Sequence, residues 1–153
     1  MPKVDLLFIT LTSPILIGVY KEGKLIEKVV SEERSSDILP LLYKELQEKY
    51  TIEKLLYANG PGSFMAIKVA YVFLKSMSIL KKIPLYATDA FYFNENQPIK
   101  AIGKLHFVKV ASEIKTQKFE STQEVNFRLP DMLDLDEFST DAAPLYKIGA
   151  VGQ

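Results

Sequence analysis

The sequence predicts an α/β fold in which a mixed sheet is covered by helices, and three observations carry that expectation. Three compact apolar runs open the chain, at residues 4–11, 15–20 and 24–30, with Glu22 and Gly23 as turn residues between the last two. They read as a meander of three strands, the second and third forming a hairpin. Two strand–helix–strand units follow, and parallel neighbours in a sheet require crossovers of that kind. The third observation is composition: 153 residues with 48% hydrophobic and 25% charged content hold enough apolar material for a real core.

Each element has its own justification. The first helix is expected over residues 37–49, where Leu39, Leu42 and Leu46 share a face that Ile38 and Leu41 widen. Ser35, Ser36 and Asp37 are its N-cap candidates. With Asp37 as the cap, Pro40 falls in the first turn, where its missing N–H breaks no intrahelical bond; an earlier start would make it a kink. The later start is the expected one. Residues 54–58 read as a buried strand, 59–62 as the turn out of it, 63–81 as the second helix and 83–87 as one more short strand. The resulting order is βββαβαβ.

Past Asn94 the pattern decays, and the polar stretch at residues 95–98 marks a boundary between a lobe of residues 1–96 and a smaller one of residues 97–153. Residues 99–103 and 106–110 suit a small hairpin around Lys104, and residues 119–129 alternate weakly. Residues 131–141 carry five acids and no base, the pattern of a solvated or mobile segment rather than a site.

Charge and composition exclude several classes of function. Nineteen basic and nineteen acidic side chains cancel, so no overall positive field would hold a nucleic-acid backbone unaided. Without cysteine there is neither a disulfide framework nor thiolate chemistry. Residues 1–8 lack the apolar core of a signal peptide, and Lys68, Lys75, Lys81 and Lys82 interrupt the longest apolar run before the roughly 20 residues that span a bilayer. A cytoplasmic protein with no membrane association is expected.

The turn at residues 59–62 poses the main functional question. A strand feeding a glycine-rich turn into a helix N-terminus is the geometry that binds anions, because unpaired N–H groups and the positive end of the helix dipole converge there. Asn59, Gly60, Gly62 and Ser63 are therefore a candidate anion loop. Phe64 and Met65 stand where a phosphate loop needs Lys and Ser or Thr, Met65 replaces the third glycine of a dinucleotide fingerprint, and Pro61 removes a donor. A phosphate site and a purely structural turn both remain open.

The helix after the turn is apolar around nearly its whole circumference, with only Lys68 and Lys75 charged between Phe64 and Leu80, so it must be covered on more than one side. One side is the sheet. Ala66 and Ala70, one turn apart, would let another helix approach on the other, with Phe73 and Met77 extending that contact. Ile38, Leu41 and Leu42 of the first helix, together with Ser63 and Ile67, complete the expected partner or dimer interface. The alternative is a central core helix within the chain.

Conventional catalytic constellations are missing, and no catalytic or metal-ligating residues are expected. His106 is the only histidine and reads as a strand-face polar residue. With no cysteine, thiolate and histidine-rich metal sites are excluded, whereas carboxylate-only Mg²⁺ sites stay open. Asp5 and Asp89 could contribute to one only if the fold brings them together; singly they read as a strand-edge acid and a turn or helix cap.

The order and spacing of these segments resemble a known family. Residues 59–70 (NGPGSFMAIKVA), preceded by LLYA and followed by KKIPLYATDAF, are similar to the glycine–proline–glycine–serine–phenylalanine helix segment of the TsaB (YeaZ) family, subunits of bacterial tRNA threonylcarbamoyladenosine biosynthesis. LLFITLTSPILIGVY resembles the family's first two strands, EERSSDILPLLYKEL its first helix, and PIKAIGKLHFVKV the start of its second lobe. APLYKIGA resembles its terminal proline–x–tyrosine–x–arginine, with Lys147 in the arginine's place. The resemblance implies an actin-like ATPase (ribonuclease H-like) lobe over residues 1–96 and a reduced second lobe over residues 97–153.

It further implies a non-catalytic partner subunit with no cofactor. In that family the subunit pairs through its first two helices with a catalytic TsaD-like paralogue, an accessory TsaE-like ATPase joins them, and tRNA is met only through the complex. A homodimer is expected when the chain is alone. Departures are visible: Thr10 replaces the first-strand aspartate, Met65 and Ala66 replace threonine and glycine, Lys68 replaces arginine, Ala70 replaces a second glycine, and the second lobe is short. The alternatives are a small actin-like-fold kinase or ATPase, which Thr10 and Pro61 oppose, and a peptidase-like enzyme, for which no nucleophile–base pair is evident.

Overall fold

The chain begins with β1 (Lys3–Ile9), turns back through β2 (Ile15–Lys21) and forward again through β3 (Lys24–Ser31), then crosses over α1 (Ser35–Lys49) into β4 (Thr51–Ala58). A second crossover, α2 (Phe64–Lys81), leads to β5 (Leu85–Thr88). The computed structural model describes residues 1–145. These strands form a five-stranded sheet in the order β3-β2-β1-β4-β5. β1 is antiparallel to β2 and parallel to β4, and β5 is parallel to β4. The expected mixed sheet with two helical crossovers is therefore the observed one.

Burial of β1 and β4 on both sides explains why they read as unbroken apolar runs. Val4, Leu6 and Phe8 pack with Leu55 and Tyr57 beneath α1 and α2, and Leu7 and Ile9 pack with Leu56 and Ala58 on the opposite face. That second face is covered by a 3₁₀ turn (Ala90–Phe93), by Ile99 and Phe107 of a smaller sheet, and by Phe138. The smaller sheet has the order β6-β7-β8, with β6 (Ile99–Lys100), β7 (Leu105–Val110) and β8 (Glu113–Lys118).

Several expectations are corrected. α1 starts at Ser35 with Arg34 as its cap: the amides of Asp37 and Ile38 both donate to the Arg34 carbonyl, at 3.1 and 3.0 Å. Pro40 thus lies inside the helix, with no N–H to give the Ser36 carbonyl. β4 begins three residues early because Thr51 N–H donates to the Pro2 carbonyl at 2.8 Å. The small hairpin is β6–β7, but it gains β8, whose polar sequence carries no strand signal and which is set by pairing to β7 across a turn with Ala111 at φ 57.

The acidic stretch is anchored as well as solvated. Its five carboxylates are exposed, yet its main chain is tied to both edges of the large sheet. Leu25 N–H donates to the Asp131 carbonyl at 2.9 Å and Leu133 N–H to the Gly23 carbonyl at 2.7 Å, while Ser139 and Ala87 exchange two main-chain hydrogen bonds. Phe138 is buried against Tyr92 and Phe93. No helix among the described residues is long and apolar enough to cross a membrane.

Asp5 sits in the central strand β1, not at an edge, with Lys54 Nζ 3.8 Å away. Burial pushes its carboxyl above the usual carboxylate range; Lys54 pulls it down and Glu53 pushes it up. The folded chain therefore binds this proton more readily than the unfolded chain. The stability gained is complete below the ordinary carboxylate range and is lost as pH rises through the raised value. Asp5→Asn, which removes the buried charge, is expected to raise Tm at neutral pH, with the advantage vanishing under acid; melts from about pH 7 down to about pH 3 check this. An equal gain at every pH would contradict it.

Candidate functional site

In the turn between β4 and α2, the main-chain groups and side-chain Nδ2 of Asn59 and the carbonyl of Gly60 are taken up by the chain's own main chain. The Asn59 carbonyl accepts from Leu145 N–H at 2.8 Å and the Gly60 carbonyl from Ala90 N–H at 2.8 Å. Asn59 N–H is given to the Thr88 carbonyl at 3.1 Å, and its side-chain Nδ2 donates to the Ala143 carbonyl at 2.8 Å. Gly60 adopts φ +115, a conformation that L side chains rarely reach, and the Gly60–Pro61 bond is cis. Ser63, exposed, caps α2 by accepting from Ala66 N–H at 3.3 Å. Two carbonyl oxygens directed at the space beside the turn suit a main chain better than a phosphate.

The sequence-selected acids do not converge. Asp5 is opposite Lys54 at the start of the β1–β4 ladder, whereas Asp89 follows Thr88, which pairs with Ala58 at its far end. Asp89 caps the 3₁₀ turn, Oδ1 accepting from Phe91 N–H at 3.0 Å and Oδ2 pairing with Lys109. Thr10 is buried at the end of β1, beside a shallow cleft of about 250 Å³ in which Ser13 Oγ donates to Glu32. Among the described residues, no three His, Asp or Glu side chains gather as metal ligands. His106 is fully buried, its Nδ1 bonded to the Lys104 carbonyl and its Nε2 accepting from Gln123 N–H, both at 2.9 Å, with Phe119 edge-on to the ring. It is a strand-face structural residue, as expected.

The two helices distribute their expected interface residues between core and surface. Ile67 and Ala70 are each 1% exposed, and Ile38 is buried too, so all three pack inside the chain rather than on a free face. Leu42, Ala66, Phe73 and Met77 are half-buried, and Leu41 and Ser63 are exposed. The reason is phase. A helix apolar all round gives no inside or outside from composition, and Ala70 is the small residue that lets α2 approach the sheet, not a partner.

The outward ridge consists instead of Met65 and Val72, 63% and 54% exposed, continuing to Ile79. Together with half-buried Val69 and exposed Ser76 these positions step by four and three, a spacing that was available in the sequence. Between this ridge and Leu39 and Pro40 of α1 runs an apolar groove of about 480 Å³, bordered by Ser35, Ser36, Lys68 and Ser76.

A sheet ordered β3-β2-β1-β4-β5, with β2 reversed and both crossover helices packed on the sheet, is the actin-like, ribonuclease H-like arrangement. Among solved structures the fold is similar to that of YeaZ from Pseudomonas aeruginosa, with a TM-score of 0.57 and 15% identity over 78% of this chain and 66% of that one. It is also similar to an uncharacterized protein with similarity to peptidase YeaZ from Pseudomonas aeruginosa, with a TM-score of 0.52 and 16% identity over 78% of this chain and 65% of the other. The chain thus spans just under two thirds of the length of those proteins. No family model matches the sequence, and no curated protein matches it.

The burial pattern separates two substitutions on adjacent faces of α2. Ala70→Arg inserts a charge between helix and sheet and is expected to cost at least about 3 kcal/mol, leaving the chain unfolded or insoluble. Val72→Arg, two residues on and exposed, is expected to shift stability by less than about 0.5 kcal/mol. Urea melts of the two variants check this.

Proposed function

We infer that the chain is a divergent member of the TsaB (YeaZ) family and works as the non-catalytic partner subunit of the complex that makes threonylcarbamoyladenosine in tRNA. The observation that carries this reading is the apolar groove and ridge of α1 and α2, exposed on a fold similar to YeaZ. A row of large apolar side chains facing solvent is costly to leave bare and suits the helices of another protein. The TsaD-like catalytic paralogue is the proposed occupant, with an accessory TsaE-like ATPase joining and tRNA met only through the assembly, in the cytoplasm. In the absence of the paralogue a second copy covers the same face, giving a two-fold homodimer.

In this reading residues 1–96 form the actin-like lobe and residues 97–153 the reduced second lobe. The terminal resemblance around Tyr146 and Lys147 lies outside the described residues. The absence of an aspartate at Thr10, and the acceptor-lined turn at Asn59 and Gly60, support a partner over a kinase or ATPase.

Titration calorimetry of the chain with the paralogue tests the proposal. Val72→Asp, which places a charge in the groove wall, is expected to weaken pairing by at least about 100-fold. Lys104→Ala, in the turn of the small sheet, is expected to change it by less than about two-fold. Pairing unaffected by Val72→Asp would refute the groove as the docking face. Peptide or nucleotide turnover by the purified chain, lost on substitution of Asn59, would refute the non-catalytic reading.

A further inference from the structure

The β4–α2 turn and the free edge of β5 are both filled by the chain's own residues 139–145. Ser139 lies alongside β5, its N–H donating to the Ala87 carbonyl at 2.7 Å and its carbonyl accepting from Ala87 N–H at 3.0 Å. Tyr57 Oη donates to the Ala142 carbonyl from within the sheet, and Asn59 Nδ2 donates to the Ala143 carbonyl at 2.8 Å. Leu145 N–H then closes on the Asn59 carbonyl at 2.8 Å. A Cβ added at Gly60 would stand 2.8 Å from the Leu145 carbonyl oxygen, so the glycine is what allows the segment so close.

Every one of these contacts is to main-chain atoms of the segment, three carbonyls and two amides. The one buried side chain among them is Ala142, which is small. Recognition of this form reads an extended backbone and tolerates varied side chains, the mode by which sheet edges accept a peptide. The turn contributes a side-chain donor and a carbonyl acceptor, the pair that the carbonyl and amide of an extended main chain require.

We propose that the β5 edge and the turn at residues 59–62 form a binding site for an extended polypeptide main chain, occupied in cis by residues 139–145. The seated strap also covers an edge that would otherwise invite pairing with another chain. The inference goes beyond the partner reading and does not depend on it, since it concerns contacts within one copy.

Amide hydrogen exchange on the full chain tests it, with no paralogue present. In the wild type, the Ser139 and Leu145 amides are expected to exchange at least about 100-fold more slowly than in an unstructured peptide. Asn59→Ala is expected to speed Leu145 by about ten-fold while the Leu55 amide, inside β4, keeps its protection, which separates strap release from unfolding. If Asn59→Ala fails to fold, Tyr57→Phe removes the Ala142 contact and is expected to give the same selective change. Millimolar inorganic phosphate or ADP is expected to leave Leu145 exchange unchanged. Unprotected Ser139 and Leu145 in the wild type would overturn the proposal, and so would phosphate or ADP that displaces the strap and speeds Leu145.

Discussion

The parallel pairing of β1 with β4 is the constraint on which the other packing depends. Both strands are apolar on both sides, and each buried Leu or Ile contributes about 2 kcal/mol only once it is removed from water. Two covering layers are therefore required. α1 and α2 provide one, and the other is assembled from a 3₁₀ turn, a small three-stranded sheet and the returning C-terminal segment. Phe138 and the main chain on either side of it are part of the core's second wall, which is why an acidic sequence runs across the fold instead of away from it.

That arrangement decides what α2 can do. Its inner face, Ile67, Ala70 and Leu74, is committed to the sheet, and Asn59, in the turn that precedes it, is bonded to the strap. The outward ridge stays exposed, and the apolar groove runs between it and α1. α1 is held in place at its C-terminal end, where Lys49 Nζ and Tyr50 Oη both donate to Glu27 of β3, at 2.9 and 2.6 Å. These bonds, Tyr50 first and then Lys49, hold the Glu27 carboxyl below its usual range, so their contribution is present above the ordinary carboxylate range and is lost as pH falls through the lowered value.

Much of the fold was legible in the sequence because β1, β2, β4 and α2 are long apolar runs broken by strong turn residues, and their order leaves few topologies open. β8 was not legible: Glu113–Lys118 is polar, and its strand conformation is imposed by β7 rather than by its own preferences. Capping preference points to Asp37 as the start of α1, whereas the backbone of Arg34 caps the helix without any side-chain bond. The surface was half legible. The size of Ala70 says nothing of whether it faces in or out, whereas the four-and-three spacing of Met65, Val69, Val72 and Ser76 carries the phase of the exposed ridge. The strap was not legible at all, since its contacts use main-chain atoms that every sequence shares.

The proposed docking of another protein on the outward face of α2 is open to direct test by cross-linking. A photo-crosslinking residue placed at position 72, and in a second variant at position 102, compares two exposed sites, one on the groove wall and one in the turn between β6 and β7. With the TsaD-like paralogue present, an efficient cross-link to it is expected from position 72 and essentially none from position 102. A cross-link from position 102 with none from position 72 would contradict it.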